Sequence, residues 1–395
     1  MLDASLHLAR DPYRWIGRHA GDRAAFNARL LLQPTTFLAG STAAPFFYSD
    51  AMQRTGAAPT FLRRTLFGPE GVQGLDDAEH RQRKALFLRR LGPDRAKDIA
   101  ARAGTAMDAL AAARPGRIVL QDQMELLLTR VVCDWAGIAV ADAALPDTTR
   151  MLSRLFEHAG PNDPRHLTAW TARRDADRWA ANLVRQVRDR RDPGSVLDLV
   201  AHWPDTDGKP LPVDVAAVEL VNFLRPVVAI SAFITFSAHA LVHHPEARPD
   251  DDDEVHRFVQ EVRRLYPFFP MLAAKARHDA VLDGVTIPQG QRVILEIRSV
   301  NRDPRNWDDP DSFRPDRFKD CDIGAFQMIP QGGGGLADGH RCPGEWTTIE
   351  VMEEAVRWLT RRAEWSTPAQ DFELNMAALP ALPRDRIVLD GLRPA

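Results

Sequence analysis

From Val213 to His243 the chain reads VDVAAVELVNFLRPVVAISAFITFSAHALVH, and no other stretch restricts the possible folds so strongly. Its most apolar part, Val218 to Val242, is interrupted by Glu219, Asn222 and the pair Arg225-Pro226. A membrane span would not carry that set in its middle, so the run is expected to be a helix buried inside a protein, with no stable membrane insertion. A helix apolar on every side needs neighbours on every side. At 395 residues, 45% of them hydrophobic, the chain can supply that surrounding core.

Helical spacing recurs at Asp11–Leu32, Asp77–Ala113, Val119–Val140 and Asp253–Tyr266. Met271 to Val300 contains shorter alternating pieces with the turns LDGV and IPQG, and Arg302 to Asp322 is too rich in Pro and Asp for an unbroken element. Farther on, Ile349, Met352, Val356 and Leu359 fall on one helix face. The expected fold class is therefore mainly α with a minor β portion, and residues 1–395 are read as one catalytic domain. A net charge of −3 gives no reason to invoke nucleic acid. Cys133, Cys321 and Cys342 form neither a disulfide framework nor a paired zinc motif. The opening MLDASLHLARDPYRW lacks the apolar core of a secretory signal, so a cytoplasmic location is expected.

Cys342 stands between a flexible turn and an amphipathic segment, in IPQGGGGLADGHRCPGEW. Pro343 suits the first turn of a helix, where its missing N–H costs little. A thiolate beside helix N-terminal N–H groups is favoured by their partial positive charge. Gly332–Gly335 and Gly339 would let backbone approach a flat ligand. Axial ligation of a heme iron fits these residues, and so does a buried free cysteine beside a loop. Phosphate binding does not, because the Lys-Ser/Thr ending of a P-loop is missing.

GHRCPGE resembles the cysteine-ligand loop of the cytochrome P450 family, with Cys342 at the position of the metal ligand. EVRR resembles the family's Glu-x-x-Arg pair, as Glu261 and Arg264, and FRPDRF its downstream arginine motif, with Arg317 in the matching place. Taken alone, Glu261 and Arg264 also suit a helix-surface pair. The resemblance implies the cytochrome P450 fold, heme b (iron protoporphyrin IX) as cofactor, and a structural role for Glu261, Arg264 and Arg317.

The central helix departs from the usual family pattern. Where a P450 monooxygenase carries an acid–alcohol pair that helps cleave bound oxygen, this chain has NFLRPVVAI. Burying Arg225 there is costly without an anion, and its planar fork suits a carboxylate. By residue chemistry alone that anion is a substrate, an internal acid or a heme propionate. Pro226 removes a backbone donor and should distort the helix locally. RPVVAI, the extended glycine loop, VRRLYPFFP and FLRRTLFGPEGVQGLDDAEHRQRKALF together resemble the bacterial fatty-acid peroxygenase branch.

That branch implies hydroxylation of free fatty acids at Cα or Cβ with hydrogen peroxide as oxidant and no obligatory redox protein. Arg225, Pro226 and Gln73 would be catalytic, and Arg225 would hold the substrate carboxylate, which supplies the missing acid–base function. Phe67 and Gln73, in LFGPEGVQG, match substrate-pocket positions; otherwise they read as a core aromatic and a turn residue. Gln73 stands where some members carry histidine and make more terminal alkene, so hydroxylation is expected. His80 and Lys84 would lie near the heme propionates, with Tyr48 and Arg54 as further cofactor contacts; otherwise the first two read as a basic solvent-facing helix. Gln331 would shape the cofactor-side loop or cap a turn. The alternatives are oxidative decarboxylation to alkenes, a monooxygenase fed by ferredoxin or flavodoxin, and a non-enzymatic heme- or fatty-acid-binding protein.

Overall fold

In the computed structural model, which describes residues 2–160, 163–189 and 194–395, the apolar run forms two helical segments. Val213–Val228 and Ile230–His243 join end to end at Ala229. The interruption follows Pro226, which has no N–H to offer the Asn222 carbonyl and whose ring crowds it. Every residue from Val215 to Leu241 except Pro226 is buried. Among the described residues this is the one helix long and apolar enough to cross a membrane, and 94% of its most apolar window lies inside the protein.

Its first half packs against the helices Leu120–Ala136 and His166–Asp189, and its second half against Leu120–Ala136, Asp252–Leu265 and Glu345–Arg357. Ring stacking reinforces both halves, Phe223 on Phe87 at 4.3 Å and Phe233 on Phe268 at 4.7 Å between centroids. The Asp77–Ala113 helical stretch divides at Gly92-Pro93 into Asp77–Leu91 and Pro93–Ala112. Leu120–Ala136 ends where Gly137 takes a left-handed conformation.

The β portion is a five-stranded sheet in the order Ala25–Leu30, Gln33–Leu38, Arg292–Glu296, Met271–Ala276, Met52–Gln53. Only Gln33–Leu38 and Arg292–Glu296 run parallel; the other neighbours are antiparallel. This corrects the helix expected over Asp11–Leu32, of which Trp15–Ala20 alone is helical. Gly21 ends that helix, Leu31 and Leu32 at φ 53° and 65° turn a two-residue hairpin, and Ala25–Leu30 pairs along Gln33–Leu38. A smaller sheet joins Gly116–Val119, Val388–Pro394 and Ala363–Ser366. LDGV is the turn of the hairpin Ala280–Leu282 with Val285–Ile287.

The helix Asp252–Leu265, capped by the Asp251 side chain on the Glu254 N–H, carries the buried pair Glu261–Arg264. Glu261 accepts from Arg264 Nε at 2.6 Å and Nη2 at 2.8 Å, from Arg317 Nε at 3.1 Å and from the Arg314 N–H at 2.7 Å. Arg264 also donates to the carbonyls of Asn301, Pro310 and Ser312. One carboxylate thus ties the irregular segment leading to the glycine loop onto the helix. Glu261→Ala leaves two buried guanidinium groups without their anion. It should lower unfolding stability by about 3–5 kcal/mol, read by denaturant titration of the heme-loaded protein.

His239 is buried between the Tyr266 hydroxyl (2.8 Å) and the Phe372 carbonyl (3.1 Å), stacked on His243. Burial, and then the neighbouring His243, pull its pKa from 6.5 to about 4. Unfolded chains take up this proton near 6.5 while the folded protein resists until about 4, so acid favours unfolding across that window. The unfolding midpoint should fall as pH drops from 6.5 towards 4, and His239→Gln should flatten that slope. An unchanged slope would remove His239 as its source.

Candidate active site

Cys342 sits where the glycine loop meets the helix Glu345–Arg357. Its N–H donates to the Gln331 carbonyl at 2.9 Å, and its carbonyl accepts from the Glu345 N–H at 3.3 Å. Pro343 therefore lies in the turn before the helix, not in its first turn as expected, because helical bonding starts only at Glu345. The loop closes on glycine: at Gly332 φ is 92°, and a Cβ would stand 2.9 Å from the His340 carbonyl. Burial pushes the Cys342 thiol up, and Glu345 adds to that; the Gly344 N–H, Lys84 and Arg225 act the other way. A bound metal would be needed to hold the thiolate.

Gln331 is engaged at both ends of its amide. Its Oε1 accepts from Arg263 Nη2 at 3.1 Å and its Nε2 donates to Thr348 at 2.8 Å, so its part is to brace the loop against two helices. Glu345 joins the same brace, accepting from Arg263 and, at 2.5 Å, from Arg341 Nε.

Tyr48, Arg54, His80 and Lys84 do converge on this loop. Lys84 Nζ donates to the carbonyls of Gly339 and Arg341, just before Cys342. Burial lowers its pKa to about 8, with the Cys342 thiolate acting in the opposite direction. His80 stacks on His340 with centroids 4.0 Å apart. Burial first, then His340 and Lys84, drive the His80 pKa to about 3. The His80 ring is therefore neutral at neutral pH, and of the pair His80–Lys84 it is Lys84 that carries charge on this face. Arg54 lies over the rings of Phe47 (4.2 Å) and Tyr48 (5.4 Å) and donates a long 3.4 Å bond to the Phe47 carbonyl. Burial pushes the Tyr48 hydroxyl up to about 12, so it stays neutral, its oxygen accepting from the Gly333 N–H of the glycine loop.

Across from Cys342, Arg225 is 5% exposed, and its Nε has no hydrogen-bond partner among the described residues. Its Nη2 donates a long 3.4 Å bond to Asn222 Oδ1. Burial lowers its pKa to about 9, Arg173 adds to that and Cys342 opposes it, so the guanidinium is charged at neutral pH. Gln73 reaches this face, its Oε1 accepting from Asn222 Nδ2 at 3.4 Å, and Phe67 packs at the edge of the main core. The structure thus brings Arg225, Pro226 and Gln73 to one side and the loop set to the other, and leaves Phe67 at the edge of the core.

These donors fit heme b. Among the described residues no group of three or more His, Cys, Asp or Glu is placed to hold an ion. Cys342 as a single protein ligand suits an iron already ringed by a porphyrin. Arg54 and Lys84 are buried cations whose side chains, among the described residues, hydrogen-bond to carbonyl oxygens alone, and they complement the two carboxylates such a group carries. Sequence reasoning missed Asp76, which anchors Arg54 and Thr55 backbone N–H groups at 2.8 Å and faces His340 at 3.7 Å, and it missed His340 itself. Nothing in the spacing of these residues signals that they meet.

The cytochrome P450 family model matches residues 255–384. Over 130 residues the chain is 32% identical to cytochrome P450 71D18 of Mentha gracilis, an alignment spanning 31% of this chain and 25% of that plant protein's length. Solved structures align over the whole chain. Cytochrome P450SP alpha (CYP152B1) in complex with (R)-ibuprofen is 39% identical, with a TM-score of 0.96, covering 100% of this chain and 99% of that one. Cytochrome P450EX alpha (CYP152N1) with myristic acid is 34% identical at a TM-score of 0.94, covering 100% and 98%. A variant of cytochrome P450 OleT in complex with arachidonic acid is 29% identical at 0.95, covering 100% and 97%.

Proposed function

Because this chain belongs to the cytochromes P450, in the branch of the CYP152 enzymes, we propose that it hydroxylates free fatty acids at Cα or Cβ with hydrogen peroxide. The net reaction replaces one C–H by C–OH and releases one water per peroxide. Peroxide supplies both the oxygen atom and the oxidising equivalents, so no redox protein is required. Heme b, ligated by Cys342, supplies the iron chemistry that activates peroxide. The whole chain acts as one unit, in the cytoplasm.

The observation that carries this reading is Arg225, a buried charged fork whose Nε has no partner among the described residues and which faces the Cys342 side of the core. A carboxylate is the anion its geometry takes best, through two parallel N–H bonds. That anchor puts the first carbons of an acyl chain nearest the reacting centre and leaves the tail remote, which selects Cα and Cβ by position. The helix around Arg225 has no acid–alcohol pair. The substrate's own carboxylate oxygen is then the atom able to accept and return a peroxide proton. Pro226 interrupts helical bonding beside it, and Phe67 bounds the early carbons. Gln73 offers an amide that hydrogen-bonds but does not titrate, which favours hydroxylation over decarboxylation to alkene.

The test compares a free fatty acid with its methyl ester in the heme-loaded enzyme under controlled peroxide. The acid should be hydroxylated and the ester left almost untouched. Equal turnover of both would overturn the carboxylate anchor.

A further inference from the structure

Glu219, Asn222 and Arg225 follow one another at three-residue spacing and so share a face of the central helix. Glu219 is fully buried and fixed from outside the helix, accepting from the Val72 N–H at 2.9 Å and from Arg83 Nη1 at 2.9 Å. Asn222 then bridges three groups. Its Nδ2 donates to Glu219 Oε2 at 3.0 Å and to Gln73 Oε1 at 3.4 Å, while its Oδ1 accepts from Arg225 Nη2 at 3.4 Å.

This bridge has only one polarity. A guanidinium has no acceptor and a carboxylate held by Arg83 has no donor, so turning the Asn222 amide over would set donor against donor and acceptor against acceptor. With Nδ2 committed, Gln73 must present its oxygen to Asn222. Its own Nε2, which makes no hydrogen bond among the described residues, is left to donate. Val72, next to Gln73 in sequence, is held by the same carboxylate, so loop and helix are registered by one anion.

We propose that Asn222, fixed by Glu219, is a positioning residue that orients the Gln73 amide as a hydrogen-bond donor to the carboxylate end of the substrate and holds one edge of Arg225. It thereby sets the ratio of Cα to Cβ hydroxylation. This rests on the carboxylate being held by Arg225. Both bonds at 3.4 Å are long, as expected of a site whose geometry tightens on its ligand.

The experiment is a double-mutant cycle in heme-loaded enzyme, with Asn222→Leu, Gln73→Leu and both together, given free fatty acid and peroxide. Asn222→Leu should raise KM for the acid about tenfold and shift the Cα:Cβ product ratio, with the ferrous carbon-monoxide spectrum unchanged. Gln73→Leu should shift the ratio the same way, and the double variant should match Gln73→Leu alone in that ratio. Additive ratio shifts, or no shift in either single variant, would overturn the proposal. If Asn222→Leu fails to load heme, Asn222→Asp decides: it keeps the acceptor for Arg225 and lacks the donor for Gln73. An unchanged ratio there would likewise overturn it. Wild-type enzyme making no hydroxy acid at all would instead refute the peroxygenase reading.

Discussion

Arg225→Leu should reduce kcat/KM for free fatty acids by about a hundred- to a thousandfold while leaving heme loading and the ferrous carbon-monoxide spectrum intact. A buried charge pair truncated on one side costs about 2–5 kcal/mol, and tenfold corresponds to about 1.4 kcal/mol. Without substrate, Arg225 has a long bond to Asn222 and no carboxylate partner among the described residues. Its removal should therefore raise the unfolding midpoint of the substrate-free enzyme, since an unpaired buried charge is replaced by an apolar side chain. Loss of turnover with a gain in stability is the signature of a residue kept for binding. Arg225→Lys should restore only part of the activity, because an ammonium cannot pair a carboxylate through a planar fork. Full turnover in either variant would sink the assignment.

Cys342→Ser should abolish peroxide-driven turnover and the red-shifted carbon-monoxide band that marks a thiolate-ligated ferrous heme. The loop itself should persist, because its closure depends on the Cys342 backbone, held by Gln331, and on Gly332. Heme binding through Arg54, Lys84, Tyr48 and the loop backbone would be weakened but measurable by absorbance. Retention of the red-shifted band would show that another atom is the ligand.

The central helix was legible because its apolar run is of helix length and is broken by Glu219, Asn222 and Arg225-Pro226 where a membrane span would not be, and the glycine loop because few structures need four consecutive glycines before a cysteine. The Glu261 network was legible as motif letters, although the carbonyls of Asn301, Pro310 and Ser312 that complete it carry no sequence signal. Ala25–Leu30 was misread as helix because strand identity is settled by a partner: the hairpin turn at Leu31-Leu32 and the pairing along Gln33–Leu38 outweigh local preference. Glu219 and Asn222 were visible only as interruptions of the apolar run. Their spacing to Arg225 held the clue to a polar face, but Val72, Gln73 and Arg83 reach that face from more than a hundred residues away. His80 illustrates the remaining gap, since its charge depends on burial against His340, which no local pattern reveals.

The most direct test of the account is product analysis of purified, heme-loaded enzyme given a panel of free fatty acids and controlled hydrogen peroxide, with no reductant or redox protein present. Mass spectrometry separates 2-hydroxy acids, 3-hydroxy acids and alkenes one carbon shorter. The account predicts hydroxy acids as the main products, oxygenated at Cα or Cβ and nowhere along the tail. Tail hydroxylation, or turnover only when a ferredoxin or flavodoxin chain is added, would contradict it.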